Sequence, residues 1–485
     1  MRSIDRRQFL SDTGKLLALG ATVAGAVSTT TAGAATMPDR AAALRALGRR
    51  TLRLPGSLPR PELPVGSDLL PGVDHIVVLM LENHSFDNLF GMLGRGDGFT
   101  LRHGRPAATN PYPDGRIQHA FHMPTTCQLP ARPSQEWTAS HNAYHNGAND
   151  GFVSTPISPA TDQLVGGVAM GYWTGDDLPF TYSLARAFPI ADRWFGSLLG
   201  QTHPNRRYLI AGTSVGLTAT VNPTTPAGQA QLTSPVPPAG TIFNQLDLHG
   251  ISWANYVALF PFGATPELFP VNNATTEAAH QKPFAQFFSD AAAGTLPSFS
   301  LLDPDYSTQS QENPENIVVG EALLAQVVHA LGAAPQWPRT LFVLTYDEHG
   351  GYYDHVPPPP ALPPDAFGPS VFPGEPTYEG FARYGFRVPT VVVSPYARRH
   401  HVSHRVYDHT SILAMIERKW NLPALTFRDA NAHDLTDFLD LDALKDRRPT
   451  FPTLPRLAAP GNTPAALACS TTGPGTIPPP ESISG

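Results

Sequence analysis

Two apolar, β-branched runs that each stop at a pair of oxygen-bearing side chains constrain this chain most. His75-Ile76-Val77-Val78-Leu79-Met80 leads through Leu81 into Glu82-Asn83. Thr340-Leu341-Phe342-Val343-Leu344 leads through Thr345-Tyr346 into Asp347-Glu348. Uninterrupted runs of this length read as strands buried on both faces, as in a parallel sheet covered by helices. Ligands bind such sheets beyond the carboxyl ends of the strands. Glu82, Asn83, Asp347 and Glu348 are therefore expected to meet at one rim. A lone carboxylate at a strand end more often caps the next helix. Two pairs at two strand ends are harder to explain as caps. Crowded carboxylates repel until one takes up a proton or a cation enters. The pattern points to a hard metal ion.

Glu82-Asn83-His84-Ser85-Phe86-Asp87 resembles the opening motif of the bacterial phosphoesterase family. That family holds non-haemolytic-type phospholipases C and some acid phosphatases, and is similar to a branch of the alkaline phosphatase superfamily. The resemblance continues through Glu136-Trp137 to His141, Asn146-Gly147, Thr202-His203-Pro204-Asn205-Arg206, Asp347-Glu348-His349-Gly350-Gly351 and Asp408-His409-Thr410-Ser411. These motifs stand in the family's order, and five in order are far more specific than one.

The resemblance implies an α/β fold: an alkaline-phosphatase-like, mostly parallel central sheet with helices on both faces and long loop insertions. It implies Thr202 as the nucleophile, forming a phosphothreonine intermediate; a turn or helix cap is the plainer reading of that residue. His141 is expected to donate to the phosphate or to protonate the leaving oxygen. His349 and His409 are expected near the phosphate, His409 as ligand, orienter or cap. Arg206 is read either as a positive charge replacing a second metal or as a helix-surface arginine. Asn313, in Gln311-Glu312-Asn313-Pro314, stands where many relatives have a histidine. It can donate to a phosphate oxygen but cannot act as an acid. The oxygen donors Glu82, Asn83, Thr202, Asp347 and Glu348 suit Ca²⁺, Mg²⁺ or Mn²⁺; zinc stays open if His349 or His409 joins.

The implied activity is hydrolysis of a phosphoric ester, with a small phosphate ester or a phospholipid headgroup as substrate. Phospholipase C-like diester cleavage is placed ahead of an acid phosphatase acting on monoesters. A non-catalytic extracellular binding protein would be indifferent to loss of Thr202 or the acidic pairs, and all of them are present.

Asp5-Arg6-Arg7-Gln8-Phe9-Leu10 resembles a twin-arginine export signal, followed by a weakly apolar stretch and by Ala32-Gly33-Ala34. That stretch is shorter than the roughly 20 residues of a membrane span. A periplasmic or extracellular enzyme, delivered by the twin-arginine machinery and without a stable span, is expected. Four expected segments follow: a signal peptide over 1–34, a Pro/Arg-rich lead-in over 35–70, a catalytic domain over 71–455 and a Pro/Gly-rich tail over 456–485. Removing the signal takes four basic and two acidic residues from totals of 33 and 40, leaving 29 and 38, a formal charge of −9. Such a chain offers no broad basic surface for nucleic acid. With 52 prolines and 41 glycines, long ordered loops are expected rather than long helices. The two cysteines, Cys127 and Cys469, are able to pair in an oxidising compartment, and pairing stays open.

Overall fold

In the computed structural model the two apolar runs become adjacent parallel strands at the centre of one sheet. The structure describes residues 40–128, 132–155, 157–158, 163–221, 236–260, 265–269 and 279–457. In chain order the strands of that sheet are β1 (His75–Leu81), β2 (Ile190–Ala191), β3 (Trp253–Val257), β4 (Gln281–Pro283), β5 (Phe299–Asp303), β6 (Thr340–Tyr346), β7 (Val391–Val393) and β8 (Val402–Ser403). Across the sheet they lie in the order β4-β3-β5-β1-β6-β7-β2-β8. Among these, β7 runs antiparallel to β6 and β2, and the remaining pairings are parallel.

Every residue of β6, and every residue of β1 after His75, is buried. Successive side chains of a strand point to opposite faces. Both faces are therefore covered at the centre, as the continuous apolar sequence requires. The helices used below are α1 (Phe86–Phe90), α2 (Trp137–Tyr144), α3 (Pro179–Ala187), α4 (Thr202–Ala211), α5 (Phe284–Ala293), α6 (Ile317–Ala333) and α7 (Thr410–Trp420). α6 packs with α3 and α5, and α7 packs with α4. Asn316 caps α6 by accepting from the Val318 N–H at 3.2 Å. Glu321, buried on α6, accepts from the Thr181 N–H at 2.8 Å and so satisfies a first-turn donor of α3.

The apolar, β-branched stretches over 251–259 and 388–394 read as strands, and in the structure they form the shorter β3 and β7. The strands β2, β4 and β8 hold two or three residues each, too few to display a periodicity. Within the lead-in, Arg40–Ala46 forms a helix whose Ala43 is buried and packs beside Leu362. No helix among the described residues is long and apolar enough to cross a membrane. Cys127 is disulfide-bonded. Cys469, the expected signal peptide and nearly all of the expected tail lie outside the described residues.

Candidate active site

The β1–β6 register pairs Leu81 with Tyr346. Glu82-Asn83 and Asp347-Glu348 therefore leave neighbouring strands at the same level. The Asp347 N–H still donates to the Leu81 carbonyl at 3.1 Å. One Asp347 oxygen, Oδ1, accepts from the Asn83 N–H at 3.1 Å and from the Glu348 N–H at 2.8 Å. Glu348 Oε2 accepts from the Gly350 N–H at 2.7 Å. Asn83 has φ 66°, left-handed backbone that asparagine tolerates better than most residues. The turn after Glu348 needs its first glycine: a Cβ at Gly350 would lie 2.0 Å from the Asn83 carbonyl oxygen. All four expected ligands are thus together and at most 4 % exposed.

A third strand adds Asp303, the last residue of β5, which lies on the other side of β1. Its carboxylate accepts from Asn255, from Thr265 and from the Tyr306 hydroxyl. It escaped the sequence reading, although Phe299-Ser300-Leu301-Leu302-Asp303 repeats the pattern of an apolar run ending in an acid. Arg206 on α4 reaches all three strand ends. Its guanidinium donates to Glu82 Oε1 at 3.2 Å, and lies 3.5 Å from Asp303 Oδ1 and 3.7 Å from Asp347 Oδ2. Arg206 is 2 % exposed. It therefore lies buried among the carboxylates and is not the helix-surface arginine of the second reading.

Three buried carboxyl groups face this one guanidinium, and Glu348 adds a fourth buried acid to the rim. Burial, and then the Asp347 charge, raises the Glu82 pKa to about 8. Burial likewise raises Asp347, and raises Glu348 well above the usual range with the Asp347 charge adding to it. Six side-chain atoms of the rim residues have no hydrogen-bond partner among the described residues: Asn83 Oδ1 and Nδ2, Arg206 Nε, Asp347 Oδ2, Glu348 Oε1 and His349 Nε2. Unpaired buried acceptors are costly, and three of these are oxygens suited to a hard divalent cation. The donor set fits such an ion.

Thr202 is the first residue of α4, after Gln201 at the N-cap. Its hydroxyl interacts with the Asp347 carboxylate. The loop before it is stapled by Asn205, whose Oδ1 accepts from the Ser197 N–H at 2.7 Å and whose Nδ2 donates to Gly200 and Gln201 carbonyls at 3.1 and 3.0 Å. This explains the asparagine of Thr202-His203-Pro204-Asn205.

The expected histidines scatter. His349 lies against Phe386 with Nδ1 3.2 Å from Glu348 Oε2, and burial lowers its pKa to about 3. His409 donates through Nε2 to the Asp347 main-chain carbonyl at 2.6 Å, and the Trp194 indole N–H points at its Nδ1. It is occupied in holding the end of β6 rather than open to a phosphate. His141 is stacked on Tyr378 at 3.9 Å, and its Nδ1 donates to the Trp137 carbonyl at 2.7 Å. Burial lowers its pKa to about 4. The neutral ring thus carries its proton away from Nε2, which accepts rather than donates. No hydrogen bond among the described residues joins His141 to the rim. Asn313 accepts from the Tyr352 hydroxyl at 3.1 Å.

A second acidic group, Asp87, Asp354 and His355, brings ligand atoms within 4.8 Å of one another. Its centre is already cationic. Arg387 Nε lies 2.9 Å from Asp354 Oδ1, and an Arg387 terminal nitrogen lies 3.0 Å from Asp87 Oδ1. Arg387 offsets one of the two carboxylates, and His355, whose pKa the Asp87 carboxylate raises against burial, offsets the other, so the cluster is supplied with cations by the chain itself.

The model of the Phosphoesterase family matches residues 73–423. The chain is 29% identical to phospholipase C A of Mycobacterium tuberculosis, over 86% of each chain. It is 31% identical to non-specific phospholipase C6 of Arabidopsis thaliana, over 75% of this chain and 71% of that one. Among solved structures, the phosphonate monoester hydrolase of Agrobacterium radiobacter aligns over 76% of this chain and 77% of its own at 10% identity, with a TM-score of 0.34.

Proposed function

The chain belongs to the Phosphoesterase family and is a hydrolase of phosphoric esters, and from that premise we propose a metal-dependent phospholipase C-type enzyme with Thr202 as nucleophile. One observation carries the proposal: three unpaired buried oxygens, Asn83 Oδ1, Asp347 Oδ2 and Glu348 Oε1, stand at the ends of two neighbouring strands, and the Asp347 carboxylate meets the Thr202 hydroxyl. A divalent cation held by Glu82, Asn83, Asp347 and Glu348 would supply the charge that acidifies a neighbouring hydroxyl and neutralises phosphoryl oxygens.

The chain's own groups then divide the work. Asp347, in contact with the Thr202 hydroxyl, takes its proton. The Thr202 oxygen forms a bond to phosphorus while the bond to the leaving alcohol breaks. The leaving oxygen takes up a proton from water, because the neutral His141 ring keeps its proton on Nδ1 and presents an accepting Nε2. Water then releases the phosphoryl group from Thr202. Arg206 holds the strand ends in register, and His409 fixes the Asp347 backbone. The names of the relatives favour a phospholipid diester over a phosphomonoester.

Thr202→Ala tests the nucleophile. The rate is expected to fall by several orders of magnitude with metal content unchanged. Acid quench of the parent during turnover should trap a phosphoryl group on the Thr202 peptide. Its mass distinguishes the products of phosphatidylcholine from those of a monoester. An active Thr202→Ala enzyme, with inversion at a chiral phosphorus, would remove Thr202 from the chemistry.

Export by the twin-arginine route is part of the proposal and rests on Arg6-Arg7. Arg6→Lys with Arg7→Lys should leave precursor in the cytoplasm. Normal secretion of that double variant would exclude the route.

A further inference from the structure

Beside the divalent cation proposed above, an incoming phosphate needs a positively charged donor from the chain, and neither Arg206 nor the histidines provide one. Arg206 is 2 % exposed and engaged with carboxylates. His349 Nδ1 lies 3.2 Å from Glu348 Oε2, and His409 Nε2 is spent on the Asp347 main-chain carbonyl. His203, next to Thr202, accepts the Val221 N–H through its Nδ1 at 3.1 Å.

Arg132 is placed differently. It lies on a short strand, Arg132–Pro133, laid across the turn that follows Glu348. The approach is close: a Cβ on Gly351 would lie 2.7 Å from the Pro133 carbonyl carbon. Arg132 pairs with Glu312, two residues after Ser310, whose carbonyl accepts the Glu82 N–H at 2.9 Å. Its own segment thus borders the Glu348 turn, and its partner's segment borders Glu82. Its side chain is 31 % exposed, so solvent reaches the guanidinium.

We infer that Arg132 is the residue that captures the substrate's phosphoryl oxygens at the mouth of the rim, with Glu312 holding its guanidinium ready. The inference rests on the reading of the Thr202 site given above. Chemistry favours the assignment: a guanidinium presents paired donors that match two phosphate oxygens, and it stays charged at any working pH. Glu312 keeps the fork ordered, so less rotamer freedom is lost on binding. A fixed single charge also acts unequally on substrates. A phosphomonoester carrying two charges gains more from it than a diester carrying one. Arg132 is thereby a specificity residue as well as a binding residue.

The test uses the full metal-loaded enzyme with p-nitrophenyl phosphate, p-nitrophenyl phosphocholine and inorganic phosphate. Arg132→Gln should raise KM for both esters by roughly tenfold or more and change kcat less. The loss should be larger for the monoester, and competitive inhibition by inorganic phosphate should weaken by a similar factor. Arg132→Lys should recover part of each effect, because the charge returns without the fork. Metal content should match the parent in both variants, which excludes a collapsed site. Phosphate binding measured by calorimetry in the Thr202→Ala background separates this inference from the nucleophile assignment. Weaker binding there on adding Arg132→Gln supports the capture role even if no covalent adduct ever forms. An unchanged phosphate affinity, with KM within twofold of the parent for both esters, overturns it.

Discussion

Glu82 must be ionised to hold a cation, yet its surroundings push it towards the neutral form. Burial and the neighbouring Asp347 raise its pKa from 4.5 to about 8. Asp347 and Glu348 move the same way, chiefly through burial. A folded-state pKa above the ordinary value means that the metal-free fold binds the proton more tightly than the unfolded chain. The stability from that proton is complete below about pH 4.5 and is lost as the pH climbs through about 8. A bound cation reverses the sign, because it needs the ionised carboxylates and is held more tightly as they lose protons. Chelator-treated protein is therefore expected to lose thermal stability steadily from pH 5 to pH 8. Metal-loaded protein should hold level, so the gap between the two melting temperatures widens with pH. Asp347→Asn should bind less metal and close most of that gap. A gap that does not vary with pH would mean that these carboxylates do not hold the ion. The strand-end pairs were legible in sequence because an apolar run announces where a strand stops. Arg132 was not legible, since its role depends on which turn its short strand crosses. Arg206 was legible as a charge but not as a buried one.

At the scale of elements, the sheet arranges the site by register alone. β5, β1 and β6 are neighbouring parallel strands, and each releases a carboxylate at its carboxyl end. The long central strands could be read from sequence, because each buries enough residues to impose a pattern. The edge of the sheet could not. β2 and β8 have two residues each, and their place is set by hydrogen bonds to β7 and to one another. The loop before α4 was equally silent. Its shape depends on Asn205, whose side chain makes four hydrogen bonds to nearby backbone. In sequence that asparagine is only part of a motif; in the fold it sets where Thr202 emerges. The second acidic cluster carries the opposite lesson. Asp87, Asp354 and His355 have metal-ligand types at close range, but Arg387, brought from a distant segment, supplies the cation.

At the scale of the molecule, the lead-in before β1 is strapped to the end of α7 by single polar side chains. Asn421, the C-cap of α7, accepts from the Arg60 N–H at 2.9 Å. Its amide donates to the carbonyls of Arg60, Leu63 and Pro64 at 3.1, 3.0 and 3.0 Å. Asn431 makes the same kind of two-way bridge with the Arg53 backbone. These contacts follow no periodicity, so the lead-in reads as featureless in sequence although it is ordered in the fold. Asn421 also has φ 47°, a left-handed conformation. Asn421→Ala removes four hydrogen bonds worth about 1 kcal/mol each and adds a strain of about 1 kcal/mol from Cβ in that conformation. The expected loss is on the order of 4 kcal/mol, since freed carbonyls near the surface recover part of it from water. Asn421→Gly loses the same bonds without the strain, so it should be about 1 kcal/mol less destabilised than Asn421→Ala. Urea unfolding of the metal-loaded proteins measures both differences. The kcat of the folded fraction should match the parent, because Asn421 touches none of the strand-end carboxylates. Parental stability in both variants would mean that the strap adds nothing to the fold, while equal losses would mean that the hydrogen bonds matter and the backbone conformation does not.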